Sequence, residues 1–267
     1  MKVGILAGSG ELPRMVAEAV RRAGGDVFIA GFEGYATQET VEGFPHMFVR
    51  LGAVGHILAR LRAEGVSDVV AIGPVRRPTW KNMRPDFRGA KVLAKIMMAP
   101  GGDDRLLRIV RAELEHDGFT VRGADEFLPE CLAPRGTLGK IEPAPSLAAD
   151  IAEGARIAHG VGMLDIGQAA VIQQGVVLGV EGAEGTNALI ARCGALKRDG
   201  RGPILAKMKK PQQDRRMDLP VIGADTVANA AAAGFCGIVV EAGGVLVAHP
   251  EETAQAADAA GIFIVGV

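Results

Sequence analysis

Cysteine, histidine and aromatic residues are scarce in this sequence. Its 267 residues include three cysteines, five histidines, one tryptophan and one tyrosine. Cys131, Cys193 and Cys236 lie far apart, and no histidine stands in metal-ligand spacing with them, so we expect neither a zinc site nor a disulfide framework. With aromatic residues at 4%, stacking platforms for single-stranded nucleic acid are not expected either. These scarcities predict a reducing, cytoplasmic setting and no nucleic-acid partner.

An excess of one charge and long apolar runs are also absent. The formal net charge is -1, so binding to nucleic acid or anionic lipid would have to come from a local patch. No apolar run is long enough to cross a bilayer, and Met1 and Lys2 lead into a strand pattern rather than a secretion signal. We therefore expect any contact with a membrane to be peripheral.

Glycine, in contrast, is abundant, with 37 residues. In the first half of the chain, short apolar segments such as Val3–Ala7, Asp26–Ala30 and Asp68–Ile72 alternate with amphipathic helical patterns. This alternation predicts a parallel sheet with crossover helices.

The pattern changes after a stretch rich in proline and glycine. The segment 131–145 reads as a stiff linker. Beyond it, Ala169–Ile172 and Val176–Val180 flank a short turn like a β-hairpin, and further strands and helices follow. We predict an α/β protein with a parallel-sheet domain over 1–130, a distinct C-terminal α/β domain over 146–267, and a ligand cleft between them.

Gly8, Ser9 and Gly10 follow the first predicted strand and precede the first predicted helix. Glycines at this point let backbone amides approach a phosphate at the positive end of a helix. The third glycine of a dinucleotide fingerprint is missing, because Pro13 stands in its place. A structural turn, a nucleotide-phosphate loop and an NAD site all remain compatible with this pattern.

The stretch from Ile204 to Thr226 concentrates charges of both signs. Such cations can hold phosphate oxygens, and such carboxylates can hold Mg²⁺, although a solvated loop has the same composition. A strand-like segment, Leu219–Ile222, delivers Gly223 and Asp225 to a position where α/β proteins place chemistry. The charged residues are Lys207, Lys209, Lys210, Arg215 and Arg216, with Asp214, Asp218 and Asp225.

Other strand and helix ends carry weaker signals. Asp103 and Asp104 suit a helix cap, yet two adjacent aspartates after two glycines leave one to serve as a metal or ligand contact. Thr186 or Asn187 suits a helix cap. The nearby glutamates could be ligands or exposed turn residues, and the sequence does not decide between these roles.

The basic segment Val75–Arg88 follows Gly73 and Pro74 at the end of a predicted central strand. It suits a solvated loop, or a membrane-surface or acyl-chain contact.

Taken together, these motifs resemble the LpxI-type UDP-2,3-diacylglucosamine pyrophosphatases, lipid A pathway enzymes of Gram-negative bacteria. The resemblance covers the whole chain. It rests on GILAGSGELP, GGDDRLLR, QAAVIQQGVVLGVEGAEGTNALIARC and KMKKPQQDRRMDLPVIGADT.

The resemblance implies Mg²⁺-dependent hydrolysis of the pyrophosphate bond of UDP-2,3-diacylglucosamine to 2,3-diacylglucosamine 1-phosphate (lipid X) and UMP. It also implies water attack on the sugar-side phosphorus, a Rossmann-like N-terminal domain, a distinct C-terminal domain and a catalytic role for Asp225. An enzyme with a lipid substrate is expected in the cytoplasm, peripheral to the inner membrane. Exposed apolar strands in the C-terminal half are compatible with a homodimer.

The predicted site residues fall into three groups. Asp225, Lys209 and Asp214 are the catalytic candidates, and Asp225 and Asp104 are the candidate metal ligands. The candidate substrate-binding residues are Gly8, Ser9, Gly10, Leu12, Gly73, Pro74, Asp103, Asp104, Thr186, Asn187, Lys207 and Arg215.

Two alternative functions remain open from the sequence. A non-catalytic sugar-nucleotide sensor would require the carboxylates to be dispensable for function. An NAD-dependent oxidoreductase would require the complete glycine fingerprint that Pro13 interrupts.

Overall fold

The computed structural model describes residues 1–75, 85–98 and 102–267. The chain divides into two compact units. The first unit comprises Met1–Pro129 together with Asp214–Asp218, and the second comprises Glu130–Gln213 with Leu219–Val267. Most of the basic segment Val75–Arg88 lies outside the described residues.

The first unit is built on a five-stranded sheet in which every described strand pair is parallel. The parallel sheet predicted from the alternating pattern is therefore confirmed. Its elements are β1 (Lys2–Ala7), α1 (Leu12–Arg22), β2 (Asp26–Phe32), α2 (Gln38–Val41), β3 (His46–Val49), α3 (Val54–Ala63), β4 (Asp68–Ile72), α4 (Phe87–Met98), α5 (Asp103–His116) and β5 (Thr120–Val121).

The strand order of this sheet is β3-β2-β1-β4-β5. The order changes direction at β1, whose neighbours are β2 on one side and β4 on the other. Apolar strands and amphipathic helices bury a core that includes Phe28, Leu58, Leu61 and Val69. In an open parallel sheet, the carboxyl edge at such a switch point is the usual place for a ligand.

The second unit contains a six-stranded mixed sheet and a two-stranded parallel sheet. Strands β9, β11 and β13 run parallel at the centre, and the predicted hairpin is confirmed as the antiparallel pair β7–β8. The elements are β6 (Gly136–Leu138), α6 (Ala148–Met163), β7 (Ala169–Gln173), β8 (Val176–Val180), α7 (Thr186–Gly194), β9 (Ile204–Lys207), β10 (Val221–Ile222), α8 (Ala224–Ala232), β11 (Gly237–Val240), β12 (Leu246–Val247), α9 (Pro250–Ala260) and β13 (Phe263–Gly266).

The segment 131–145 differs from the linker that its composition predicts. It lies in the second unit, and its β6 pairs antiparallel with β13. Prolines and glycines interrupt helices and long strands, but the three residues of β6 can still pair as a short edge strand. This is why a compositional break resembled a linker.

The carboxyl ends of β9 and β11 and the amino end of β7 lie along one edge of the mixed sheet. Lys207, the last residue of β9, pairs with Val240 at the end of β11 and with Ala169 at the start of β7. Residues that follow β9 and β11, or precede β7, therefore gather at this edge. Among the helices in the described ranges, none combines the length and the hydropathy that a bilayer-spanning segment requires.

Candidate functional site

In the first unit, the loops after β1 and β4 pack directly against each other. The amide of Gly8 donates to the carbonyl of Ile72 at 2.9 Å, and the amide of Ser9 donates to the carbonyl of Pro74 at 3.1 Å. The Ser9 hydroxyl donates to the same Pro74 carbonyl at 3.0 Å. The structure thus brings Gly8 and Ser9 together with Gly73 and Pro74, and Gly10 follows them in the same loop.

Glycine is required at two positions of this contact. A Cβ on Gly8 would lie 2.2 Å from the Gly73 carbonyl oxygen, and Gly73 has a φ of +94°. Any side chain at Gly8 would force the two backbones apart. The sequence therefore builds a close backbone pair at the switch point between β1 and β4, while the neighbouring Gly10 is exposed.

Leu12 is the first residue of α1, and its side chain is buried. Only its backbone is therefore available to a ligand at the start of this helix. Glu11 occupies the N-cap position, but its side chain makes no cap hydrogen bond there.

Asp103 and Asp104 begin α5 rather than cap it. The N-cap is Gly102, so the capping interpretation is wrong. Asp104 is buried and forms an ion pair with Arg108 one turn along the helix. This pairing accounts for the buried carboxylate, and metal ligation by Asp104 stays a prediction. The side chain of Asp103 lies outside the described part.

Asp214 and Arg215 belong to the short segment that joins the first unit. Asp214 Oδ2 lies 2.7 Å from Arg111 Nη1, and its Oδ1 lies 3.1 Å from Arg216 Nε. Arg215 Nη2 donates to Asp125 at 2.8 Å, and Met217 is buried in the core of the first unit. These contacts anchor the segment, which favours a structural role for Asp214.

In the second unit, Lys207 lies at the carboxyl end of β9 with only 6% of its surface exposed. Its Nζ donates to Thr186 Oγ1 at 3.0 Å and to the Val221 carbonyl of β10 at 2.7 Å. A buried ammonium requires such acceptors, because burial without hydrogen bonds is costly. Lys207 therefore ties β9, α7 and β10 together.

Thr186 links this lysine to a buried carboxylate. Its hydroxyl donates to Glu181 Oε1 at 2.7 Å, while Glu181 Oε2 accepts the Gln168 amide at 2.9 Å. The N-cap of α7 is Gly185, so the interpretation of Thr186 or Asn187 as the cap is wrong. Asn187 is exposed beside Thr186.

Asp225 lies in the first turn of α8, whose N-cap is Gly223. A carboxylate there is stabilised by the positive end of the helix, which alone explains an aspartate at this position. Asp225 is nevertheless exposed, and within the described ranges its carboxylate has no hydrogen-bond or ion-pair partner. It therefore differs from Asp104 and Asp214, which are held by arginines.

Lys209 and Glu241 meet at the edge of the mixed sheet. The Lys209 amide donates to Glu241 Oε2 at 3.0 Å, and Lys209 Nζ donates to the Lys210 carbonyl at 3.1 Å. His159 Nε2 lies 3.7 Å from the same Glu241 oxygen. Sequence reasoning missed Glu241, although its position directly after the apolar strand β11 was a readable signal.

The acidic and histidine side chains do not form a dedicated metal centre in the part of the chain that the structure describes. No group of three or more histidine, cysteine, aspartate or glutamate side chains is arranged there to hold an ion. A hard cation that takes few protein ligands could still use one open carboxylate and the substrate's phosphates. Among the predicted metal ligands, Asp225 has that open carboxylate.

The arrangement defines an α/β protein of two units, with a glycine-built loop pair on a parallel sheet and a lysine–carboxylate edge on a mixed sheet. A family model described as LpxI N-terminal domain matches residues 2–131, and one described as LpxI C-terminal domain matches residues 134–265. The chain belongs to the LpxI family.

A relative from Caulobacter vibrioides supports the same conclusion. The chain is 42% identical over 273 residues to that organism's "UDP-2,3-diacylglucosamine pyrophosphatase LpxI". The match covers 100% of this chain and 97% of the relative.

Proposed function

We propose that this protein hydrolyses the pyrophosphate bond of UDP-2,3-diacylglucosamine in lipid A biosynthesis. The products are 2,3-diacylglucosamine 1-phosphate and UMP. The observation that carries the proposal is the 42% identity along the whole chain to a relative named for this reaction. The match spans both units of the chain.

The first unit supplies the nucleotide-binding loop in this proposal. The amides of Gly8 and Ser9 already donate to the carbonyls of Ile72 and Pro74. Gly10, exposed just before α1, offers backbone that a phosphate can approach without meeting a side chain. The switch point between β1 and β4 supports this assignment, because ligands of open parallel sheets bind there.

The second unit supplies the reactive carboxylate. Asp225 is exposed at the start of α8, and it has no partner among the described residues to neutralise it. Two roles fit this side chain: it accepts a proton from the attacking water, or it holds a cation. Both roles require an ionised, accessible carboxylate, which distinguishes Asp225 from the arginine-bound Asp104 and Asp214.

Mg²⁺ is the cation that we propose for this reaction, and Asp225 fits it as a ligand. Magnesium sites commonly combine one or two carboxylates with substrate phosphates. Bound there, the ion would offset negative charge on the diphosphate.

The lysines of the second unit serve in different ways. Lys207 is buried and engaged with Thr186 and Val221, so it fixes β10 and thereby the approach to Gly223 and Asp225. Lys209 is less buried, and its ammonium group can turn from the Lys210 carbonyl toward a phosphate oxygen. We assign charge stabilisation to Lys209 and positioning to Lys207.

The substrate carries two acyl chains, so the protein has to meet it at a lipid surface. We therefore propose peripheral contact with the cytoplasmic face of the inner membrane. This contact needs no apolar helix that spans the bilayer.

Hydrolysis in H₂¹⁸O with Mg²⁺, followed by mass spectrometry of both products, tests the proposal. We expect the label in the lipid phosphate, because water attacks the sugar-side phosphorus. Label in UMP would reverse the point of attack. An absence of turnover, with substrate binding intact, would contradict the enzymatic proposal and favour a sugar-nucleotide sensor.

A further inference from the structure

Helix α4 carries an apolar face that is directed to solvent. Phe87, Met97 and Met98 are 79%, 64% and 84% exposed. Ala90 and Ala94 are exposed as well, and the five residues recur at the three- and four-residue spacing of one helical face. Exposed large apolar residues scattered singly need no explanation, but a continuous face does.

The opposite face of α4 already packs against the first unit. Gly89 and Val92 are buried, and the helix contacts α3 and α5. Arg88 donates to Glu113 at 2.9 Å and also pairs with Asp117. The core contact of α4 is therefore complete without the outer apolar residues.

Cations border the outer face. The sequence of α4 contains Arg88, Lys91 and Lys95 and no carboxylate. Lys91 Nζ lies 4.5 Å from the centre of the Phe87 ring, and Lys91 has no ion-pair partner among the described residues. Lys95 is 61% exposed, although it also reaches Glu113 at 3.1 Å. An apolar face bordered by lysines is typical of helices that lie in a membrane interface.

We propose that the outer face of α4 is the surface with which this protein contacts an anionic lipid bilayer. The proposal deepens the proposed function, because it names the surface through which an enzyme with a lipid substrate would reach the membrane. Phe87, Met97 and Met98 enter the interface, while Lys91 and Lys95 meet lipid phosphates.

Charge favours a bilayer over a second copy of the chain as the occupant of this face. Two copies joined through α4 would bring lysines against lysines, which is destabilising. Anionic lipid has the opposite charge. Since the whole chain has a net charge of only -1, a local cationic patch decides this interaction.

Vesicle flotation of the full chain tests the proposal without relying on turnover. The wild type should float with vesicles of phosphatidylcholine and phosphatidylglycerol, and much less with phosphatidylcholine alone. The double variant F87S/M98S should partition about tenfold less, because two apolar side chains no longer enter the interface. Added salt should weaken binding of the wild type, since the lysine contacts are screened.

Leu164→Ser is the matched control. Leu164 is 72% exposed but is not part of α4 and has no lysine of that helix beside it in sequence, so its removal should leave flotation unchanged. Equal flotation of wild type and F87S/M98S, or no flotation of the wild type with anionic vesicles, would overturn the proposal. Conversion of an oligomer to a monomer by F87S/M98S, with flotation unchanged, would show instead an interface between copies.

A second readout separates this inference from the proposed function. F87S/M98S should hydrolyse detergent-dispersed substrate at the wild-type rate and vesicle-embedded substrate more slowly. Equal slowing of both rates would overturn the membrane-contact proposal. If the wild type floats but hydrolyses neither form of the substrate, the proposed function fails while the lipid contact stands.

Discussion

The Nζ of Lys207 lies 3.0 Å from the Oγ1 of Thr186, and this contact is the first link of a buried chain that ends at Glu181. Lys207 and Glu181 are 6% and 5% exposed. The threonine hydroxyl accepts from the ammonium and donates to the carboxylate. It therefore lets two buried ionic groups share one neutral partner.

Replacement of Thr186 tests the importance of this link. Thr186→Val keeps the shape of the side chain but leaves Lys207 and Glu181 each without one hydrogen bond. We expect it to lower the free energy of unfolding by about 1–3 kcal/mol, measured by urea denaturation. Thr186→Ser, which keeps the hydroxyl, should stay close to the wild type. Equal stability of the two variants would contradict the account.

Replacement of Gly8 is the second test, because the close approach of the two loops leaves no room for a side chain there. Gly8→Ala should cost about 1–3 kcal/mol of stability, since the new Cβ would lie 2.2 Å from the Gly73 carbonyl oxygen. UMP binding, measured by calorimetry, should weaken together with thermal stability.

Gly160→Ala is the control for this variant. Gly160 lies inside α6, and a Cβ there would meet nothing within 4 Å. Alanine should be neutral or stabilising at this helical position. Unchanged UMP binding by a folded Gly8→Ala protein would argue against a nucleotide loop at this place.

The ion pairs of Glu113 join α5 to α4, and we expect their contribution to stability to depend on pH. Burial opposes ionisation of this carboxyl, but hydrogen bonds and charge from Arg88 and Lys95 prevail and lower its pKa below the usual range. Its contribution to stability is therefore present above the ordinary glutamate pKa and is lost as pH falls through the lowered value.

Glu113→Gln should accordingly lower stability by about 1–2 kcal/mol at neutral pH. The difference from the wild type should shrink as pH falls through the lowered pKa of Glu113, where the wild-type carboxyl becomes protonated. Chemical denaturation at a series of pH values measures this difference. A difference that does not change with pH would contradict the assigned ion pairs.

The cysteine thiols should react slowly. Burial raises the pKa of the Cys193 and Cys236 thiols, so little thiolate is present at neutral pH. We expect iodoacetamide to modify the folded protein far more slowly than the urea-unfolded protein, and turnover to survive the treatment. Rapid loss of turnover with one modified cysteine would show that a thiol matters to the reaction.

The parallel sheet of the first unit could be predicted because its pattern is local. Buried strands such as β1 and β4 are continuous apolar runs, and glycines follow them at the turns. The sequence shows that each glycine loop follows a strand. It does not show that the two loops touch, because that contact depends on the pairing of β1 with β4. The short strand β6 could not be predicted, because prolines and glycines on both sides hide it.

The roles of individual charges were harder to predict, because they depend on partners distant in sequence. Asp214 and Asp225 look equivalent in the charged stretch, yet arginines hold Asp214 while Asp225 has no partner in the described ranges. Thr186 looked like a helix cap, and its hydroxyl instead joins Lys207 to Glu181. Sequence spacing does not contain such contacts, since they form only when the strands pair.

Turnover of UDP-2,3-diacylglucosamine by Asp225→Asn, compared with the wild type and with Glu251→Gln, tests the central claim most directly. Glu251 lies in the first turn of α9, so its replacement reproduces the loss of an acid near a helix start without touching the proposed site. We predict that Asp225→Asn binds the substrate but turns it over about 10²–10⁴-fold more slowly, while Glu251→Gln matches the wild type. Wild-type turnover by Asp225→Asn would contradict the account.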